Sequence, residues 1–143
     1  MKFSANQEDL QKSLNYCQGV IEKRSTLPIL SNILIDAKKS NLTIIATDLD
    51  LIFFHEIKDV EVHEEGKTTT TSSILYDIIR KFSSGKKINF SFSGENKLQL
   101  ESEKSVFHLN CIGASEFPIT DEDFNENQFS IKSKTLLKLL NKC

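Results

Sequence analysis

A chain of 143 residues with 38% hydrophobic and 27% charged residues is sized and composed for one folded domain with its own core, which excludes wholesale disorder. A formal net charge of −2 excludes a protein that holds nucleic acid by overall basicity, so such a role needs a local basic face or a topological hold. The apolar runs are far too short to cross a bilayer, no apolar block follows Lys2 as in a secretory leader, and Cys17, Cys111 and Cys143 are widely spaced and odd in number, so the chain reads as cytoplasmic with reduced thiols.

Residues 2–4 form a short strand. Asn6 is then a helix N-cap, with Glu8 and Asp9 at the positive end of the helix dipole. Leu10, Leu14, Cys17 and Ile21 recur every three to four residues as one apolar stripe, and Gln11, Lys12, Asn15, Gln18 and Glu22 lie opposite. After Leu27-Pro28 the pattern changes to β-branched and aromatic strands over 29–36, 42–47 and 51–60, with Lys39-Ser40-Asn41 as a tight turn.

Residues 67–71 are a further strand, and Ser72 or Ser73 caps a second helix. Ile74, Leu75, Ile78, Ile79 and Phe82 form its apolar stripe, Asp77, Arg80 and Lys81 face away, and Ser83-Ser84-Gly85 ends it. Ile88, Phe90 and Phe92 then alternate as a strand, Ser93-Gly94-Glu95-Asn96 turns the chain, and strands at 98–101 and 105–112 complete a meander. Residues 113–127 lack periodicity and carry Pro118 and an acidic group, as a linker does. Residues 128–131 read as a strand and 133–141 as the start of a leucine-rich helix.

One pattern recurs: a short strand, a polar cap and an amphipathic helix, at Lys2-Phe3-Ser4, at 68–71 and at Phe129-Ser130-Ile131. Three strands follow each of the first two copies. Residues 1–125 are therefore expected to form one α+β domain of two strand-helix-three-strand halves, with helices on one face of antiparallel sheets. Residues 126–143 are expected to begin a second domain.

Met1-Lys2-Phe3 opens the chain, Arg24-Ser25-Thr26-Leu27-Pro28-Ile29-Leu30-Ser31-Asn32 follows the first helix, and Thr47-Asp48-Leu49-Asp50 ends a strand. With Gly66-Lys67-Thr68-Thr69, Asp77-Ile78-Ile79-Arg80 and Glu116-Phe117-Pro118, these runs resemble, in order and spacing, the first domain of bacterial DNA polymerase III beta subunits. The Arg24–Asn32 run is the most specific of them. The resemblance implies a DNA-clamp domain within a ring of two protomers, each with three such domains, helices lining the hole and sheets forming the wall. It implies a non-catalytic sliding clamp, the processivity factor of DNA replication, that encircles duplex DNA. Its partners would be the DNA, a second protomer, and polymerase III and clamp-loader subunits held by other domains. No cofactor and no membrane is implied.

On the residues alone, Lys23 and Arg24 read as a solvated basic pair at a helix C-terminus; the resemblance instead places Arg24 against DNA phosphate at the inner rim. Lys12, Arg80 and Lys81 lie on polar helix faces that this architecture turns to the hole, where lysines track phosphates loosely. Asp9, Glu22 and Asp77 share those faces. At Ser73 and Ile74 many members carry Arg and Lys, so Ser73 is a DNA-facing position stripped of its charge. On the last strand Phe107 and Leu109 alternate with Val106 and His108, so one pair is expected to pack in the core, and the resemblance assigns Phe107 and Leu109 to the edge where two protomers join. Asp48 and Asp50 could suggest a hard cation, but no completing loop follows, and a turn-stabilising Asp fits better. His55, His63 and His108 lack zinc spacing, and no nucleophile elbow, Walker A or dinucleotide motif is present. A protein–protein adaptor of similar size, with no DNA role, is the alternative reading.

Overall fold

The computed structural model describes residues 1–21, 27–92, 96–119 and 130–142. Strand β1 (Lys2–Asn6) runs directly into helix α1 (Gln7–Cys17). Asn6 takes the extended N-cap conformation expected of it, but its side chain caps no backbone group; its Nδ2 donates to Asp9 Oδ2 at 3.4 Å. Strands β2 (Asn32–Lys38), β3 (Asn41–Thr47) and β4 (Ile52–Ile57) form a meander. Two strand expectations need correction. Residues Pro28–Ser31 are a 3-10 turn, opened by a proline whose fixed φ and missing N–H suit that position. The strand expected over 51–60 stops at Ile57, because Asp59 adopts a left-handed φ of 58° and turns the chain out. A short strand β5 (Glu61–Glu64), not anticipated, follows.

The second half repeats the first: β6 (Gly66–Thr71), α2 (Ser72–Ile79), β7 (Lys87–Phe92), β8 (Lys97–Ser102) and β9 (Ser105–Ile112). Gly66 opens it where a Cβ would come within 2.9 Å of the Met1 Cβ, so a larger residue would displace the N-terminal side chain. Thr71, not a serine, occupies the α2 N-cap. Ser72 is buried inside the helix, where its Oγ accepts from Gln18 Nε2 at 2.9 Å.

The nine strands hydrogen-bond in the order β4-β3-β2-β6-β9-β8-β7-β1-β5, every pairing antiparallel. Each half gives its opening strand to the other: β1 pairs with β7, and β6 pairs with β2. The two meanders are thereby stitched into one sheet. Both helices pack side by side on one face of it, as the α+β expectation required.

The core lies between helices and sheet. Leu10, Leu14 and Cys17 of α1 and Leu75 and Ile79 of α2 meet inward residues of both meanders, among them Phe3, Ile33, Ile44, Phe90 and Leu98. Phe3 and Phe90 face each other across β1 and β7 and stack with ring centroids 4.5 Å apart. On the opposite face, Leu34 and Ile45 are covered by Phe117, so the start of the expected linker is docked on the sheet. The domain boundary expected near residue 125 lies outside the described residues. Ser130 and Ile131 are not in a strand, and helix α3 (Ser133–Leu140) leaves Leu137 63% and Leu140 62% exposed.

Burial among apolar neighbours raises the Cys17 thiol from 9.0 to about 12. Below pH 9.0 the thiol is protonated in the folded and the unfolded chain alike. Between there and about 12 only the unfolded chain ionises, so stability falls as pH rises through that window. Urea midpoints at pH ~8 and ~10.5 are expected to fall further for the native chain than for Cys17→Ala; equal losses would show that the thiol does not contribute.

Candidate nucleic-acid interface

The outward faces of α1 and α2 form one polar surface, and the sequence explains its shape. Apolar residues at helical spacing turn inward, so the residues between them are left to solvent. Lys12 is exposed on α1, as are Ser73 and Lys81 on and just beyond α2; Arg80 is the exposed C-cap of α2. Ile74, expected in the apolar stripe, is 50% exposed beside Ser73. Arg24, the strongest contact implied by the sequence, lies outside the described residues, as does Glu22.

Hydrogen bonds lock the helices together. Gln7 Nε2 donates to the Ile79 carbonyl at 3.0 Å, and the Tyr76 hydroxyl donates to Asn15 Oδ1 at 3.3 Å. Ser84, in the turn after α2, donates to Glu8 Oε1. Between the helices lies a shallow depression of about 350 Å³ lined by Glu8, Gln11, Lys12, Asn15 and Tyr76. Arg80 Nε lies 3.2 Å from Asp77 Oδ1, and its guanidinium sits 5.9 Å from the Tyr76 ring centroid. Lys12 and Lys81 have no ion-pair partner among the described residues. The surface is therefore mixed in sign, with Lys12, Arg80 and Lys81 against Glu8, Asp9 and Asp77. Exposed pairs of this kind contribute little to stability, which leaves these cations available to a ligand. Sequence reasoning placed Asn15 on the polar face of α1 but missed Tyr76 as part of this surface, because an aromatic between Leu75 and Asp77 on a short helix carries no signal of which face it takes.

The expected contact edge of β9 has a definite geometry. Residues 105–110 pair with β8 on one side, and only Cys111 and Ile112 pair with β6 on the other. Most of the strand thus offers one unpaired side among the described residues. Leu109 is 7% exposed and part of the domain core. Phe107 is half-buried, its ring edge-to-face with Phe82 at 5.7 Å.

At the β3–β4 turn, Asp48 Oδ1 accepts from the backbone of Asp50 at 3.1 Å and of Leu51 at 2.7 Å. The Thr47-Asp48-Leu49-Asp50 run is a turn whose aspartate is occupied by backbone N–H groups.

Two like halves exchanging their first strands, with paired helices on one face of an all-antiparallel sheet, define the chain as a DNA-clamp-type domain. Residues 1–121 match the family described as DNA polymerase III beta subunit, N-terminal domain, and the chain belongs to that family. It is 34% identical over 143 residues to the beta sliding clamp of Caulobacter vibrioides and 33% identical over 140 residues to that of Escherichia coli. These alignments cover 99% and 98% of the chain, which spans about 38% of the length of each relative. The solved DNA polymerase sliding clamp from Caulobacter crescentus superposes with a TM-score of 0.92 at 34% identity, covering 99% of this chain and 38% of that one. The DNA polymerase III subunit beta from Pseudomonas aeruginosa gives 0.92 at 30% identity, with the same coverage.

Proposed function

We propose that this chain works as the first domain of a sliding clamp, a processivity factor that encircles duplex DNA and tethers the replicative polymerase without catalysing a reaction. Family membership over residues 1–121 carries this reading. In it, the polar faces of α1 and α2 turn to the duplex. Lys12, Arg80 and Lys81 contact phosphates, Ser73 stands at the same surface uncharged, and Arg24 joins them on the strength of its sequence run. The open side of β9 receives a second protomer, with Phe107 at the seam and Leu109 behind it, closing a homodimeric ring. Polymerase III and clamp-loader subunits bind elsewhere on that ring, and the compartment is the cytoplasm. Residues 1–125 are one clamp domain and 126–143 the start of the next.

A low affinity suits this role. Closure holds a ring on DNA topologically, and a net charge of −2 permits sliding where a basic surface would grip. The test is retention on DNA of different topology. The assembled protein containing this domain, once loaded, is expected to stay on circular duplex and leave when the circle is linearised. A protein–protein adaptor would be retained on neither, and that result would overturn the proposal.

The division at residue 125 makes its own prediction. The leucines of α3 are uncovered here, and a helix of eight residues is too short to persist alone in water. Removing residues 128–143 is expected to leave the thermal midpoint of the domain unchanged within about 1 °C while raising solubility. A fall of several degrees would place the tail within the first domain.

A further inference from the structure

We infer that Tyr76 is a positioning residue for duplex DNA, holding Arg80 by the face of its ring at the edge of the depression between α1 and α2. This deepens the proposed function and rests on its assignment of the helix faces to the duplex. Tyr76 is the α2 side chain that lines the depression; the other lining residues come from α1. Its hydroxyl donates to Asn15 Oδ1 at 3.3 Å across the seam, which leaves the Asn15 amide N–H groups as donors. Arg80, one helical turn further on, has its guanidinium 5.9 Å from the ring centroid while Asp77 engages its Nε at 3.2 Å.

The consequence is chemical. An arginine carries five N–H donors in a planar fork, and Asp77 takes up Nε, so the four Nη–H donors are left for a phosphate. A free arginine side chain must be ordered when it binds; one already stacked on a ring loses less freedom per contact. Lys12 lines the same depression from α1 with no ion-pair partner among the described residues. Tyr76 therefore stands between a pre-oriented arginine and a polar hollow lined by a loosely held lysine, an arrangement that suits the phosphates of a backbone that must slide past.

The experiment is a titration of the 143-residue chain with a short DNA duplex at low salt, followed by amide and arginine Nε NMR signals. The native chain should show shifts confined to α1 and α2, with Arg80→Ala lowering the salt slope by about one unit. Tyr76→Leu should weaken binding about two- to fivefold, the span of an exposed cation–π contact, and remove the ring-current shift of the Arg80 Nε–H. Tyr76→Phe keeps the ring and should restore both the affinity and that shift, which a merely structural role would not require. Native shifts that avoid the helix faces would overturn the helix-face assignment and the inference with it. Native binding through the helices, weakened by Arg80→Ala but untouched by Tyr76→Leu, would overturn the inference alone. A Tyr76→Phe chain as weak as Tyr76→Leu would also overturn it, by assigning the effect to the hydroxyl.

Discussion

Replacing Phe90 with alanine is expected to destabilise the domain by about 3–5 kcal/mol, the range for deleting a large aromatic from a closed core. Phe90 is 1% exposed and stacks on Phe3, its direct cross-strand neighbour. The two rings belong to different halves of the chain, so their contact is where the exchange of opening strands is cemented. Phe3→Ala should cost a similar amount. The double substitution should cost less than the two added together, by about 0.5–1.5 kcal/mol, because the pair contact can be lost only once. Denaturant unfolding measures all three. A loss below about 1 kcal/mol for Phe90→Ala would mean that the site collapses readily and that this stack does not hold the halves together.

Asn32→Ala is the second substitution with a large expected effect, about 2 kcal/mol, because it removes a buried amide together with its bonds to the hydroxyls of buried Thr69 and half-buried Thr71. Asn32 is 3% exposed. Its Nδ2 donates to Thr69 Oγ1 at 3.2 Å, and its Oδ1 accepts from Thr71 Oγ1 at 3.1 Å. Thr69 Oγ1 in turn donates to the Ile112 carbonyl at 2.8 Å. This chain of bonds crosses β2, β6 and β9, where the two meanders join and where the open side of β9 begins. Asn32 closes the most specific of the family-like runs, and its place here is structural. A denaturation midpoint unmoved by Asn32→Ala would show that water replaces the lost amide and that the network does not set the seam.

Much of this architecture was legible because it is local. The α1 stripe of Leu10, Leu14 and Cys17 and the alternation of Ile88, Phe90 and Phe92 report which side each residue buries, and the repeated strand-helix pattern announces two like halves. The exchange of β1 and β6 was not legible. Strand pairing is a long-range choice, and no spacing in the sequence states that Phe3 faces Phe90 rather than a residue of its own half. The break after Ile57 was hidden for a different reason: Lys58 and Asp59 interrupt the apolar pattern for only two residues before Val60, while the turn depends on Asp59 in a left-handed conformation that aspartate tolerates without advertising. Ile74 was misplaced because α2 is short, and its buried stripe narrows to Leu75 and Ile79.

At the candidate interface, the cations were legible and their neighbours were not. Lys12, Arg80 and Lys81 follow from helical periodicity, but the bond from Tyr76 to Asn15, which sets the neighbour of Arg80 against α1, depends on which faces of two helices meet. Phe107 and Leu109 illustrate the same limit. Alternation puts both on one side of β9, and only the packing separates a half-buried Phe107 from a Leu109 sunk in the core.

Whether α1 and α2 face the duplex and the sheet faces away is read out by position-specific photocross-linking. A photoreactive residue would be placed at Lys12 or Lys81 on the helices, or at Gln99 or His108 on the sheet, in the assembled protein on circular duplex DNA. DNA adducts are expected from the two helix positions and only background from the two sheet positions. Adducts from Gln99 or His108 equal to those from Lys12 would contradict that orientation.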